Sequence, residues 1–279
     1  MVALDPRLNP FRPELAAKYL QGQVEAKRFA EGERLEVAEP IVALRHTPSH
    51  EARLVTQAIF GESVIVYETT DEGWAWGQLE RDGYVGWMSA GALGKTSKAP
   101  THKVAVPHTL AFPGPDIKLP PAAALPMGAQ ITVTAQDERF AVTANGWHLP
   151  LAHLAPIKAR QGDFVAIAEE FLHAPYLWGG KTSLGLDCSG LVQVALQATG
   201  EVCPRDSDMQ EMALGKLSSL GELRRGDLVF WKGHVAIAHD GENLLHANAH
   251  HMAVTIEPVA EAIARIKAAG SEVTSVKRI

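Results

Sequence analysis

Leu186-Asp187-Cys188-Ser189-Gly190-Leu191 is the stretch that decides the fold of this chain. It follows a segment rich in turn formers, Pro175-Tyr176-Leu177-Trp178-Gly179-Gly180, and it leads into an apolar run that reaches Gly200. The spacing of the apolar residues predicts a buried helix that ends at Gly200. Either Asp187 or Ser189 is suited to the N-cap of that helix.

Cys188 then lies in the first turn of the predicted helix. A thiol at this position feels the positive end of the helix dipole, so we expect a lowered pKa and an available thiolate. Most free cysteines, however, are small buried side chains. Cys188 alone therefore does not identify a nucleophile, and its partners must be sought elsewhere.

Two histidines downstream are candidates for those partners. His234 follows a glycine and opens an apolar stretch, and His246 lies on the next such stretch, beyond the turn Asp240-Gly241-Glu242-Asn243. Antiparallel pairing of the two stretches predicts that both imidazoles share one face of a sheet. Nucleophilic catalysis needs a thiol beside one imidazole and a second polar group that fixes its tautomer. Taken singly, each histidine is more often a hydrogen-bonded strand residue.

The region around these residues predicts an α+β fold, because helical periodicity comes first and strand texture follows. We expect helices at 163–172 and from Cys188 to Gly200, and a polar, partly helical segment at 204–221. After them we expect strands at 227–231, 234–238, 244–249 and 254–256, and a closing helix at 258–269.

The earlier part of the chain has a different texture, with short strands broken by turns. Strands are predicted at 41–44, 54–60, 63–67, 74–79 and 84–88, which indicates a small barrel. The tryptophans of this region are expected in its core. A second β-rich region at 103–149 is predicted to be a degenerate second barrel, since Gly61–Val66 and Gly128–Val133 correspond weakly.

Ahead of the barrels we expect an extended arm to about residue 11 and a short helix over 13–20, with Pro13 at its first position. These patterns divide the chain into an N-terminal arm and helix (1–32), a first barrel (33–97), a second barrel (98–157) and the α+β domain (158–279).

Composition excludes several classes of function. The 279 residues are 46% hydrophobic and 21% charged, with a formal net charge of −6, so nothing favours binding to nucleic acid or to an anionic membrane. Two cysteines in a chain of this length indicate a reducing compartment. The first 13 residues lack the apolar core of a secretory signal, so we expect a cytoplasmic protein.

Together, these residues resemble the NlpC family of papain-like cell-wall cysteine peptidases. The resemblance implies Cys188 as nucleophile, His234 as general base and acid, and His246 as the third, orienting member, with no cofactor. The matching blocks are Tyr176-Leu177-Trp178-Gly179-Gly180, Asp187-Cys188-Ser189-Gly190, Arg225-Gly226-Asp227-Leu228-Val229-Phe230, Gly233-His234-Val235-Ala236-Ile237 and His246-Ala247.

Barrels of the bacterial Src-homology-3-like type, placed ahead of such a domain, resemble the subgroup that cuts free L-Ala-γ-D-Glu-diaminoacyl peptides between γ-D-glutamate and the diamino acid. The resemblance implies that the first barrel recognises the free amine of the murein peptide, with Tyr84 and Glu51 as its candidate contacts. It also implies that the remaining substrate contacts come from the α+β domain, at Tyr176, Trp178, Asp187, Ser189, Asp206 and Ser207. It assigns no role to Cys203.

Other functions stay open at this point. The enzyme could act as an endopeptidase on intact peptidoglycan, or the chain could be a wall-binding module without activity. An acyltransferase on the same scaffold is disfavoured, because no membrane anchor is evident. A metal site is disfavoured as well, because the adjacent His250 and His251 point to opposite faces of a strand and no paired ligand motif is present.

Overall fold

The structure, a computed structural model, describes residues 4–95 and 98–279. The chain divides into two compact units, residues 1–157 and 158–279. The boundaries predicted at 32/33 and 97/98 fall inside the first unit. Residue 97, the predicted end of the first barrel, and residues 1–3 of the predicted arm lie outside the described residues.

The first unit is built of β-strands and short turns. Its strands are β1 (Phe11–Arg12), β2 (Leu15–Ala17), β3 (Phe29–Ala30), β4 (Glu33–Val37), β5 (Ile41–Arg45), β6 (Leu54–Ile59), β7 (Ser63–Thr69), β8 (Trp74–Leu79), β9 (Val85–Ser89), β10 (Leu93–Lys95), β11 (His102–Val104), β12 (His108–Ala111), β13 (Ala123–Pro126), β14 (Gln130–Ile131), β15 (Val133–Gln136), β16 (Phe140–Thr143), β17 (His148–Pro150) and β18 (Leu154–Pro156).

One sheet of this unit has the order β10-β4-β7-β8-β9-β5-β6. It contains all five strands predicted for the small barrel, and it adds β4 and β10 at one edge. Alternate residues of these strands, such as Val42, Leu44, Val64 and Met88, point inward and form one apolar cluster. The period-2 pattern of the sequence therefore located five of the seven strands of this sheet.

The N-terminal segment folds onto the sheet as strands, which corrects the helix predicted over 13–20. Strand β2 pairs with β1 and β3, and only a single 3-10 turn, Lys18–Leu20, remains helical. Leu15 and Leu20 pack against the aromatic side chains of the barrel. This buried contact outweighs the helix propensity of the leucine and alanine residues in the segment.

Arg12 fastens this segment to the barrel. Its guanidinium carbon lies 4.5 Å from the ring centroid of Trp76 and 4.6 Å from that of Trp87, and it forms an ion pair with Glu68. The cation thus stacks on two indole faces while its charge is balanced.

The second β-rich region consists of small sheets with the orders β14-β11-β18, β12-β13 and β15-β16-β17. It joins the first sheet through the backbone N–H of Gln130, which donates to Phe60 O at 2.9 Å, and through the rings of Phe60 and Trp147, which lie 5.4 Å apart. The interpretation of this region as a second barrel stays a prediction.

The second unit, residues 158–279, is all described and has the predicted order of helices followed by antiparallel strands. Its helices are α1 (Phe164–Glu169), α2 (Cys188–Ala198), α3 (Ser207–Ala213) and α4 (Val259–Ala268). Its strands are β19 (Lys181–Thr182), β20 (Gly185–Leu186), β21 (Lys216–Ser218), β22 (Leu228–Trp231), β23 (His234–Ala238), β24 (Asn243–Asn248), β25 (Ala253–Pro258) and β26 (Val273–Arg278).

The main sheet of this unit has the order β21-β26-β22-β23-β24-β25. Helix α2 packs against β23 and β24, and the apolar face of α4 covers a cluster that includes Val229, Ala236 and Leu244. Strand β26 was not predicted, because its residues alternate only weakly between apolar and polar. This packing holds the start of α2 next to the strands that carry the two histidines.

Leu15 tests whether the N-terminal segment is part of the fold of the first unit. Its side chain is fully buried. We expect Leu15→Ala to lower the free energy of unfolding of the first unit by about 2–5 kcal/mol, because it leaves a cavity. The control is Ile117→Ala, at a side chain that is 62% exposed, which should change stability by about 0.5 kcal/mol or less. Equal losses of unfolding free energy for Leu15→Ala and Ile117→Ala in urea titrations would show that the N-terminal segment does not stabilise the first unit.

Candidate active site

Asp187 determines where helix α2 begins. Its Oδ1 accepts a hydrogen bond from the backbone N–H of Gly190 at 2.7 Å, so Asp187 is the N-cap and Cys188 is the first helical residue. Gly190 is required here, because a Cβ at that position would lie 2.2 Å from the carbonyl oxygen of Gly180. The predicted helix is therefore confirmed, with Asp187 as its cap.

Arg205 lies behind Asp187 and is fully buried. Its Nη1 donates to Asp187 Oδ1 at 2.9 Å and its Nη2 donates to Asp187 Oδ2 at 2.7 Å. The same guanidinium also donates to the hydroxyl of Ser189 and to the carbonyl of Gly180. Asp187 Oδ2 accepts a further bond from the backbone N–H of Gly179 at 2.8 Å. This network ties the helix start to the turn at 179–180.

The Cys188 side chain is buried against strand β23, with 7% of its surface exposed. Burial, followed by the neighbouring Asp187 carboxylate, raises the pKa of Cys188 to about 12, although hydrogen bonds from the backbone N–H groups of Val235 and Ser189 and the charge of Arg205 oppose the rise. The lowered pKa expected from the helix dipole is therefore wrong. Desolvation and an adjacent negative charge exceed the effect of the dipole.

The two histidines meet as the strand pairing predicted. His234 Nε2 lies 2.9 Å from His246 Nδ1. On its other side, His246 Nε2 lies 2.6 Å from Glu257 Oε1, and Arg265 of helix α4 also bonds to that oxygen. Side chains of β23, β24, β25 and α4 thus form one continuous chain of hydrogen bonds.

His234 is neutral in this setting. Burial and the nearby His246 and Arg265 lower its pKa to about 3, while Glu257 opposes the change. A neutral imidazole can accept a proton from a thiol, whereas an imidazolium cannot. Cys188 and His234 are therefore both neutral in this structure.

Tyr176 and Trp178 both precede the thiol helix in the sequence, and the structure gives them different surroundings. Burial first, and then the nearby Cys188 and Asp187, raise the pKa of Tyr176 to about 12, while Arg205 opposes the change. Trp178 is 66% exposed. The phenol is thus held in the neighbourhood of the sulfur, and the indole faces solvent.

The remaining candidates in this unit lie on or beside helix α3. Asp206 is the N-cap residue of α3, although its carboxylate makes no capping hydrogen bond, and Ser207 is the buried first residue of the helix. Asp187 and Ser189 bond to Arg205 and to the backbone around it. The roles of these four residues in substrate binding stay predictions.

Tyr84 and Glu51 belong to the first unit. Tyr84 is 4% exposed and packs in the apolar cluster of the barrel sheet. Glu51 lies in an exposed turn, where its backbone N–H donates to the hydroxyl of Ser49. Their contact with the substrate's amine also stays a prediction.

Sequence reasoning missed Arg205, Glu257 and Arg265. Arg205 directly precedes the Asp206-Ser207 pair, and an arginine in a polar segment gives no sign that it will be buried. Glu257 had a signal in the sequence: it is the one charged residue of strand β25 (Ala253–Pro258), which pairs with the strand of His246.

Metal sites, membrane-spanning helices and the two cysteines are considered next to the residues already described. Among residues 4–95 and 98–279, no three His, Cys, Asp or Glu side chains are grouped so that they could hold a metal ion. Within the same residues, no helix is long and apolar enough to cross a membrane. Cys188 and Cys203 are both buried, and Gln210 Nε2 donates to the Cys203 sulfur at 3.4 Å.

Comparisons with known proteins match both units. A family model described as NlpC/P60 family matches residues 173–270, and one described as bacterial dipeptidyl-peptidase Sh3 domain matches residues 44–93. A gamma-D-glutamyl-L-lysine dipeptidyl-peptidase of Bacillus subtilis (strain 168) is 30% identical over 239 residues, which are 75% of this chain and 77% of that protein. The chain belongs to the NlpC/P60 family. It is therefore a cysteine hydrolase with a papain-like fold and an N-terminal Src-homology-3-like domain.

Two further relatives extend this result. A peptidoglycan endopeptidase, RipB of Mycobacterium tuberculosis (strain ATCC 25618 / H37Rv), is 33% identical over 155 residues, 49% of this chain and 62% of that protein. The crystal structure of an NlpC/P60 family protein from Bacillus cereus ATCC 10987 has a TM-score of 0.75 at 20% identity, covering 88% of this chain and 99% of that one. This second likeness shows that the fold is shared.

The buried Arg205–Asp187 pair predicts a large cost for its disruption. We expect Arg205→Met to lower the free energy of unfolding of the second unit by about 3–5 kcal/mol, because the Asp187 charge is left buried without its partner. The matched control is Arg225→Met, which breaks partly exposed pairs with Asp163 and Glu169 and should cost about 1 kcal/mol or less. Similar losses of unfolding free energy in denaturant titrations of both variants would show that the Arg205–Asp187 pair contributes no more than an exposed ion pair.

The neutral thiol of this NlpC/P60 protein predicts a distinct pH dependence of alkylation. Because the pKa of Cys188 is raised to about 12, we expect labelling by iodoacetamide to be slow at pH 7 and to rise about tenfold per pH unit up to pH 9. Peptide mapping separates this label from that on Cys203. A labelling rate that is constant from pH 5 to pH 8 would instead show a preformed thiolate.

Proposed function

We propose that this chain hydrolyses the γ-D-glutamyl–diamino acid bond of free murein peptides, L-Ala-γ-D-Glu-diamino acid, and releases L-Ala-D-Glu for recycling of the cell-wall peptide. The observation that carries the proposal is the hydrogen-bonded pair His234–His246 on strands packed against the helix that begins at Cys188. The relative named as a gamma-D-glutamyl-L-lysine dipeptidyl-peptidase supports the choice of bond.

The proposed reaction begins at the sulfur. His234 Nε2 is engaged by His246, so Nδ1 is the nitrogen that accepts the Cys188 proton while the sulfur bonds to the γ-carbonyl carbon. The backbone N–H of Cys188, at the start of α2, is suited to donate to the oxyanion that forms. Tyr176, whose phenol interacts electrostatically with Cys188, is assigned to hold the same oxygen or the adjacent substrate.

The intermediate then breaks down in two stages. His234 returns its proton to the amine nitrogen of the diamino acid, the C–N bond breaks, and a thioester of Cys188 remains. A water molecule next gives a proton to His234 and adds to the thioester carbon. The C–S bond then breaks, His234 returns its proton to the sulfur, and the γ-carboxyl group of L-Ala-D-Glu leaves and gives its remaining proton to solvent.

The proposal also assigns the two ends of the substrate to residues of the protein. We assign the free ammonium of L-Ala to Glu51 and Tyr84, since a carboxylate and a phenol oxygen can both accept hydrogen bonds from an ammonium group. We assign the remaining peptide to Trp178, Asp187, Ser189, Asp206 and Ser207. A cytoplasmic site of action is part of the proposal, and a content of two cysteines in 279 residues is in keeping with a reducing compartment.

The test compares the protein with Cys188→Ala on L-Ala-γ-D-Glu-L-Lys and on its N-acetylated form. We expect turnover of the free peptide, a loss of about a thousandfold or more in Cys188→Ala, and at least a tenfold higher KM for the acetylated peptide. Turnover by Cys188→Ala would refute the nucleophile. Equal turnover of the two peptides would refute recognition of the amine. Glu51→Gln should reduce the difference in KM between the free and the acetylated peptide.

An endopeptidase acting on intact peptidoglycan is the second candidate, because a relative bears that name. It predicts release of soluble fragments from purified sacculi at a rate comparable to that on the free peptide. A wall-binding module without activity predicts binding to sacculi and no turnover of either substrate.

A further inference from the structure

Glu257 occupies the buried end of the hydrogen-bonded chain that starts at His234. It lies two residues beyond Thr255, the partner of His246 in the β24–β25 ladder, so Glu257 and His246 share one face of the sheet as diagonal neighbours. The carboxylate is 8% exposed, and helix α4 brings Arg265 to the same oxygen that His246 contacts.

The charge state of Glu257 fixes the proton on His246. Burial raises the pKa of Glu257, but contacts with His246 and Arg265 and the nearby His251 outweigh it, so the pKa is lowered and the group is a carboxylate. A carboxylate only accepts hydrogen bonds, so Nε2 of His246 must carry the proton. Burial lowers the pKa of His246, which is therefore neutral, and its Nδ1 is an acceptor.

The tautomer of His246 in turn determines the tautomer of His234. His246 Nδ1, being an acceptor, requires a proton on His234 Nε2. A neutral His234 with its proton on Nε2 has a lone pair on Nδ1, the nitrogen that does not face His246. The opposite tautomer of His246 would donate to His234 and would place the proton of His234 on Nδ1, where it prevents proton acceptance.

We propose that Glu257 and Arg265 are positioning residues that hold His246 as its Nε2–H tautomer and thereby keep Nδ1 of His234 free to accept the proton of Cys188. This inference rests on the roles proposed above for Cys188, His234 and His246. Arg265 balances the carboxylate, so that a negative charge lies beside two buried neutral imidazoles without being left unpaired.

The two positioning residues act on His234 in opposite directions. Glu257 raises the pKa of His234 and Arg265 lowers it, while burial and His246 also lower it. His251, ahead of β25, acts on His246 and Glu257. Helix α2 presents Asp187 and Cys188 at its start. Neutralising Glu257 and neutralising Arg265 should therefore shift the titration of His234 in opposite senses.

The experiment is the pH profile of kcat/KM on L-Ala-γ-D-Glu-L-Lys for Glu257→Gln and Arg265→Gln. We expect Glu257→Gln to lower kcat about tenfold with little change in KM, because His234 becomes a weaker base, and to shift the acid limb to lower pH. Arg265→Gln should shift that limb to higher pH. The control is Glu272→Gln, which breaks an exposed pair with Lys267 and should leave the profile unchanged. Unshifted limbs in both variants, or shifts in the same direction, would overturn the proposal.

A second measurement does not depend on turnover. In the Cys188→Ala protein, histidine side-chain ¹⁵N NMR should show His246 protonated on Nε2, and Glu257→Ala should give a mixture of both tautomers. His246 protonated on Nδ1 in the parent protein would refute the inference even if the Glu257 variants do not fold. Failure of the proposed function is a separate result: it is inactivity of the unaltered protein on murein peptides, or full activity of Cys188→Ala.

Discussion

The buried ion pair between Arg205 and Asp187 is the interaction on which the second unit depends. The Asp187 carboxylate caps helix α2 and accepts hydrogen bonds from the backbone N–H of Gly179 and from both terminal nitrogens of Arg205. Each contact would be expensive to lose, because the charges are out of reach of water. Together they fix the first residue of the helix, and with it the sulfur, relative to the turn that precedes it.

The same carboxylate raises the pKa of the Cys188 thiol. The carboxylate that caps the helix is also the nearest negative charge to Cys188, and with burial it keeps the sulfur protonated. In the proposed reaction, the site therefore needs a base that is neutral and correctly oriented before substrate arrives. His234, kept neutral by burial and bonded to His246, meets that need. The position of the nucleophile and the demand for an oriented base thus have the same origin.

Much of this arrangement was readable from the sequence, because it rests on local patterns. The alternation of the strands, the cap and apolar run of α2, and the two histidines on neighbouring strands were all predicted. What was missed depends on long-range packing. Leu15 enters a strand because barrel aromatics cover it, and Arg205 is buried because Asp187 lies opposite. The pKa of Cys188 was predicted in the wrong direction, since the dipole argument omitted desolvation. Glu257 is visible in the sequence as an acidic residue of a strand, but its position beside His246 follows only from the β24–β25 register.

The stacking of Arg12 on Trp76 and Trp87 has a practical consequence for work with isolated domains. Strands β1 to β3 cover the outer aromatic surface of the barrel sheet, which also includes Tyr67 and Trp74. A recombinant fragment starting at residue 33 would uncover these rings as one contiguous apolar patch. Such a fragment should self-associate in solution, and its indole fluorescence should shift to longer wavelength as the rings meet water.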